Sequence, residues 1–176
     1  KIDPSSIPGA RVGVLAWPLD SVMITQYFGH TDFSRSNSTL YNGNGHNGVD
    51  FRAAVGTRVL AALEGTVLAV GDTDLVCPGA SYGKWVLIEH PNGLSSLYAH
   101  LSLIKATQSQ NVATGDIVGY SGSTGYSTGP HLHFTVYASQ GVKVNTYKSK
   151  VCGGTYIMPV ADLRAYLNPL SYLPTL

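Results

Sequence analysis

Lys84-Trp85-Val86-Leu87-Ile88-Glu89-His90-Pro91-Asn92-Gly93-Leu94-Ser95-Ser96-Leu97-Tyr98-Ala99-His100 is the stretch on which the fold turns. Two runs rich in apolar and β-favouring residues flank Pro-Asn-Gly, the pattern of two antiparallel strands joined by a tight turn. The same pattern repeats outward. Toward the N-terminus, residues 22–28 form a strand ended by Gly29. Val49–Arg52, residues 58–62 and residues 65–70 follow. Toward the C-terminus come residues 117–120 and His131–Ala138, with Pro130 placed where its missing N–H costs a ladder least. Residues 101–104 read as a brief turn. Residues 160–167 carry the spacing of a short helix, stopped by Asn168-Pro169. The expected fold is mostly β, with an antiparallel β-sheet core and one short C-terminal helix. Residues 1–16, with Pro4, Pro8 and Gly9, form a loosely packing leader, and residues 17–176 form a single domain.

Composition agrees with this reading. The chain has 176 residues, of which 44% are hydrophobic and 12% charged. A length of this size suffices for one domain with its own core. Few charges and 20 glycines suit short strands and tight turns better than a helical bundle. The net charge is +1 and no basic block occurs, so nucleic acid has no electrostatic handle. No apolar run is long enough for a membrane span. Cys77 and Cys152 belong to no C-x-x-C pair, which argues against a zinc ribbon. Their Pro-Gly and Gly-Gly neighbours mark surface loops, which favours one disulfide, requiring an oxidising compartment, over the alternative of two separate buried thiols.

His131-Leu132-His133 is the most informative triplet. Residues two apart on a strand share a face, so both imidazoles point together while Leu132 points away. Alone, this pairing is weak evidence for metal. His46-Asn47-Gly48-Val49-Asp50 is the second piece. Gly43, Gly45 and Gly48 argue against a helix, so it reads as a loop entering a strand, with Gly48 letting the backbone bend. His100 ends its strand. His30 and His90 sit beside a glycine and a turn and carry no assigned role. Two histidines and a carboxylate make a three-ligand zinc set with one position open, and two histidines remain for acid–base work.

Here the motifs carry a family. His46-x-x-x-Asp50, Tyr98-Ala99-His100-Leu101 and Ser127-Thr128-Gly129-Pro130-His131-Leu132-His133-Phe134 resemble the lysostaphin/LytM-type zinc metallopeptidases, which cut the peptides of bacterial peptidoglycan. Supporting runs are Gln26-Tyr27-Phe28-Gly29, residues 61–67, residues 122–125 and Asn168-Pro169-Leu170. The resemblance covers roughly residues 17–173. It implies one Zn2+ held by His46, Asp50 and His133, and catalytic roles for His100 and His131, with the choice of base between them open. It implies a groove walled by loops 30–48, 77–83 and 121–130, with Tyr98 and Thr128 lining it. The expected chemistry is metal-assisted hydrolysis of amide bonds in cross-linking peptides by an extracytoplasmic, monomeric enzyme. The alternative is a non-catalytic relative that binds the wall or activates an amidase. A biotinyl- or lipoyl-type carrier fails for want of a lysine at a tight hairpin tip. Two departures stand out: residues 105–112 lack a glycine common in the family, and residues 141–156, with the two cysteines, look like an elaboration of a subgroup.

Overall fold

The computed structural model describes residues 2–37 and 44–176. The expectation of an antiparallel, mostly β fold is met. Strands β1 (Ile24–Gln26), β2 (Val49–Arg52), β3 (Arg58–Leu60), β4 (Gly65–Asp72), β5 (Lys84–Glu89), β6 (Leu94–Ile104), β7 (Asn111–Val112), β8 (Ile117–Ser121), β9 (His131–Ala138) and β12 (Tyr166–Leu167) form one sheet. Its main path runs β1-β2-β9-β6-β5-β4-β7, with β8 pairing both β6 and β3. A separate antiparallel ribbon joins β10 (Val142–Lys148) to β11 (Thr155–Ala161). A short helix α1 (Asp32–Ser36) interrupts the 30–48 loop, begun by a Thr31–Ser34 capping box. The remainder of that loop over residues 38–43 lies outside the described residues.

The opening hairpin forms as expected. Glu89 faces Ser95 and Ile88 faces Ser96, and the His90 N–H donates to the Leu94 carbonyl at 2.9 Å. Gly93 closes the turn at φ +83°, a conformation open to glycine at no steric cost. The brief turn expected at 101–104 is instead a continuation of β6, because Leu101, Leu103 and Ile104 find partners on β8. The expected C-terminal helix is absent. Its residues end β11, make a single 3-10 turn at Leu163–Ala165, and enter β12. The apolar spacing that reads as helical serves Ala165, buried beside Ile2, and Tyr166, paired with Tyr137 on β9. Pairing to β9 satisfies more backbone groups than a lone helical turn would.

The larger core lies on one face of the sheet, where Phe51, Val86, Tyr98, Leu101, Leu132 and Phe134 pack together. The leader closes part of it rather than packing loosely. Leu15 is fully buried, its N–H bonds to the Tyr172 carbonyl, and the Ala16 N–H bonds to the Ala62 carbonyl. On the opposite face Trp85, Leu87, Leu97, Ala99 and Tyr137 meet Val144 and Met158 of the β10–β11 ribbon. In the glycine-poor segment 105–112, Ser109 takes the left-handed conformation, with φ +70°. The turn is made without glycine, at a local conformational cost.

Candidate metal centre and active-site groove

Register places the site. Asp50 on β2 lies opposite His133 on β9, and Ala99 on β6 flanks His133 on its other side. Opposed residues in an antiparallel pair share a face, so Asp50, His131 and His133 rise from the same side of the sheet. Strict alternation from Ala99 would turn His100 away. Between the pairs Val86–Tyr98 and Lys84–Leu101, however, two β6 residues oppose only Trp85. This bulge, with His100 at φ +61°, breaks the alternation and swings His100 to the site face. Its ring lies 4.7 Å from that of His131 and 5.9 Å from that of His133.

His46 arrives from the loop. Its backbone exchanges hydrogen bonds with Gly29, at 2.8 and 2.7 Å. Gly45 packs directly on Gly29 at φ +80°. The Gln26-Tyr27-Phe28-Gly29 run therefore serves to seat His46. Gly48 lies in a bend of the chain just before β2, as the sequence reading has it. It is a close-approach position, where a Cβ would strike the Phe134 carbonyl and lie 3.0 Å from the His133 ring.

Backbone carbonyls fix the imidazoles. The Nδ1–H of His46 donates to Tyr27 (3.0 Å), that of His100 to Thr124 (2.7 Å) and that of His131 to Gly129 (2.8 Å). A carbonyl cannot donate, so in each neutral ring Nε2 is the lone-pair atom. His133 is turned the other way. Its Nε2 pairs with Thr135 Oγ1 at 2.7 Å, and its Nδ1 faces Asp50 Oδ1 at 2.9 Å. His46 Nε2 is 3.3 Å from the same oxygen and His131 Nε2 is 3.8 Å away.

His46, Asp50 and His133 each offer a ligand atom, and these atoms lie within 4.8 Å of one another. Burial opposes ionisation of Asp50, but hydrogen bonds and charge from His133 and His46 outweigh it and hold the carboxyl well below the usual carboxylate range. Burial pushes the His133 imidazole down, against the pull of Asp50. The Asp50 carboxylate and the three ring nitrogens facing it need a proton or a cation between them. The donor set of two histidines and one carboxylate, with no fourth protein ligand in the cluster among the described residues, fits zinc with an open position. His100 is pushed down to about 3, first by burial and then by His133 and His131.

The five residues line a single groove of ≈ 1140 Å³. Thr128 lines it, as do Ala80 to Tyr82, Tyr126 to Pro130, and Asn44 to Asn47 of the three expected loops. Tyr98 does not. It is fully buried in the core on the other face, where its hydroxyl accepts from the Ala62 N–H and from Ser96, both at 2.8 Å. Alternation accounts for the correction, since Tyr98 opposes Phe134 while Ala99 opposes His133. Several site residues escape the sequence reading. Thr135 follows His133 by two on the same face, so the strand period alone could have found it. Tyr82 stacks on His133 with ring centroids 5.8 Å apart and accepts from Asn47 Nδ2 at 3.1 Å, and nothing local in the sequence marks it. The ribbon contributes a further wall through Tyr147, Lys150, Tyr156 and Met158. Cys77 and Cys152 are joined in a disulfide that ties the ribbon to the 77–83 loop.

The profile of Peptidase family M23 matches residues 44–146. The chain is 39% identical over 117 residues to the DD-carboxypeptidase/endopeptidase Mpg of Neisseria meningitidis serogroup B, covering 66% of this chain and 25% of that protein. It is 43% identical over 93 residues to the glycyl-glycine endopeptidase ALE-1 of Staphylococcus capitis, covering 53% of this chain and 25% of that one. The catalytic domain of lysostaphin from Staphylococcus simulans superimposes with a TM-score of 0.60 at 26% identity, over 85% of this chain and 90% of that one. The chain thus spans about a quarter of the length of the curated relatives it matches. No helix among the described residues is long and apolar enough to cross a membrane.

Proposed function

Because the chain belongs to Peptidase family M23, we propose that it is a zinc-dependent endopeptidase that hydrolyses amide bonds in the cross-linking peptides of bacterial peptidoglycan. Residues 17–176 are its catalytic domain, and it works outside the cytoplasm, where its disulfide persists. The observation that carries the reading is the convergence of His46, Asp50 and His133, whose ligand atoms lie within 4.8 Å of one another and form a group fit to hold a metal ion, beside two histidines outside that set.

His46 Nε2, Asp50 Oδ1 and His133 Nδ1 would hold the metal. When bound, zinc supplies a Lewis acid and brings the pKa of a water to ~7. His100 and His131 do the proton work. Each is anchored at Nδ1 by a backbone carbonyl, so each presents Nε2. His100, kept neutral by burial, accepts a hydrogen bond or proton there without carrying a standing charge. His131 lines the groove with Thr128, and the proton that one of these two Nε2 atoms takes from the attacking water is the one returned to the leaving amine. The Thr124 and Gly129 carbonyls keep both rings in register through that exchange. Tyr82, stacked on His133, and Thr135 stop the His133 ring from rotating.

Digestion of defined cross-linked muropeptides, with mass analysis of the products, tests this function. The expected result is cleavage that a chelator abolishes and added zinc restores. Cleavage indifferent to chelation would sink it.

A further inference from the structure

The β10–β11 ribbon lies mostly beyond the residues the family profile matches, which end at 146. Even so, it supplies one wall of the groove. Its tip is a constructed feature. Ser149 is buried, its N–H bonds to the Gly154 carbonyl at 2.8 Å, and its Oγ accepts from the Val151 N–H at 3.1 Å. The Gly153 N–H returns to the Ser149 carbonyl at 2.9 Å. The Cys77–Cys152 bond then fastens this tip to the loop that carries Tyr82. Cys77, Ala80 and Tyr156 pack beneath it, with Tyr147 and Met158 against them. A ribbon tip clamped in this way cannot drift from the catalytic face.

Lys150 sits on that tip, exposed to the groove. Among the described residues lining the groove, it is the one lysine or arginine, and Asp50 is the one carboxylate. Asp50 is engaged by the histidines. Lys150 has no carboxylate within ion-pair distance among the described residues. A cation held in place on the groove wall, with the one carboxylate of that lining already engaged, selects an anionic occupant.

We propose that the disulfide-clamped β10–β11 ribbon is a substrate-selecting wall, in which Lys150 pairs with a free carboxylate of the peptide, so that carboxylate-bearing stem peptides are preferred over a neutral glycine bridge. This rests on the peptidase reading and adds a substrate class to it. Lys150 acts on binding. The chemistry stays with the histidines.

The test compares two substrates, a cross-linked stem-peptide dimer with free carboxylates and the same dimer with those carboxylates amidated. Steady-state kinetics and calorimetric binding are measured for the wild-type chain, Lys150→Ala, Lys150→Glu and Lys150→Arg. Lys150→Ala should raise KM for the free-carboxylate dimer about fivefold more than for the amidated one, the effect of losing one exposed charge pair. The change should fall on KM rather than kcat. Lys150→Glu should do more, Lys150→Arg should largely rescue, and salt should erode the difference. Equal effects on both dimers would overturn the proposal while leaving the peptidase reading intact. Lys150-dependent binding without hydrolysis would keep the wall and remove the peptidase. Absence of both binding and hydrolysis would overturn both.

Discussion

His100 and His133 lie one strand apart and their rings nearly touch, yet their partners differ. His133 shares Asp50 with His46, whereas His100 is held by the Thr124 carbonyl and stands apart from that cluster. His133→Ala should therefore lose both zinc and turnover. His100→Ala should keep stoichiometric zinc, read by metal analysis of the purified chain, and lose turnover by about 100-fold or more, the usual contribution of a positioned acid or base. Normal turnover in His100→Ala would remove it from the chemistry. Gly48→Ala drives a methyl group against Phe134 and His133. It should cost about 1–3 kcal/mol in denaturant unfolding and weaken zinc binding. An unchanged midpoint would contradict the close-approach role. The pairing of His131 and His133 was legible because a strand period of two needs no tertiary knowledge. The position of His100 was legible only by resemblance, since the bulge that turns its side chain depends on β5 opposite. Tyr98 shows the converse: its motif neighbours His100, but regular alternation before the bulge leaves it on the core face.

At the scale of elements, the Pro91-Asn92-Gly93 hairpin could be read from its own residues because a short turn and its two strands are local. The C-terminal helix could not be read so. Residues 160–167 have helical spacing, but Val160 and Ala161 pair with β10 and Tyr166 and Leu167 with β9, and tertiary pairing overrode a weak local preference. The ribbon was visible only as an elaboration, and its place against the groove depends on a bond to Cys77, separated from Cys152 by 75 positions. Replacing both cysteines with serine should cost about 2–5 kcal/mol of stability, as expected for a bridge closing so long a loop. Zinc content should not change, since the proposed ligands come from β2, β9 and the 30–48 loop. Calorimetry and metal analysis together check this. Loss of zinc with intact stability would contradict it.

For the whole molecule, burying histidines makes the metal-free fold sensitive to acid. His90, bridged between the Glu64 carbonyl and Ser96, and His133 are lowered by burial, and His100 falls to about 3. The unfolded chain takes up these protons near pH 6.5, while the folded chain resists until far lower. Their contribution is thus complete above pH 6.5 and declines as pH falls toward the folded values. Asp50, held low when folded, adds a loss of the same sign below about pH 4. Between pH 7 and 5, His100 alone should remove about 2 kcal/mol, seen as an earlier urea midpoint. Stability that held or rose over that interval would contradict the burial argument.

Zinc dependence at His46, Asp50 and His133 is the central claim, and one titration addresses it most directly. The chain is stripped with a chelator, and zinc is added back stepwise while bound metal and muropeptide cleavage are followed together. The account predicts saturation at one zinc per chain, with cleavage rising in proportion, and neither signal in His133→Ala. Cleavage by the stripped chain, or full zinc binding with no cleavage, would contradict it.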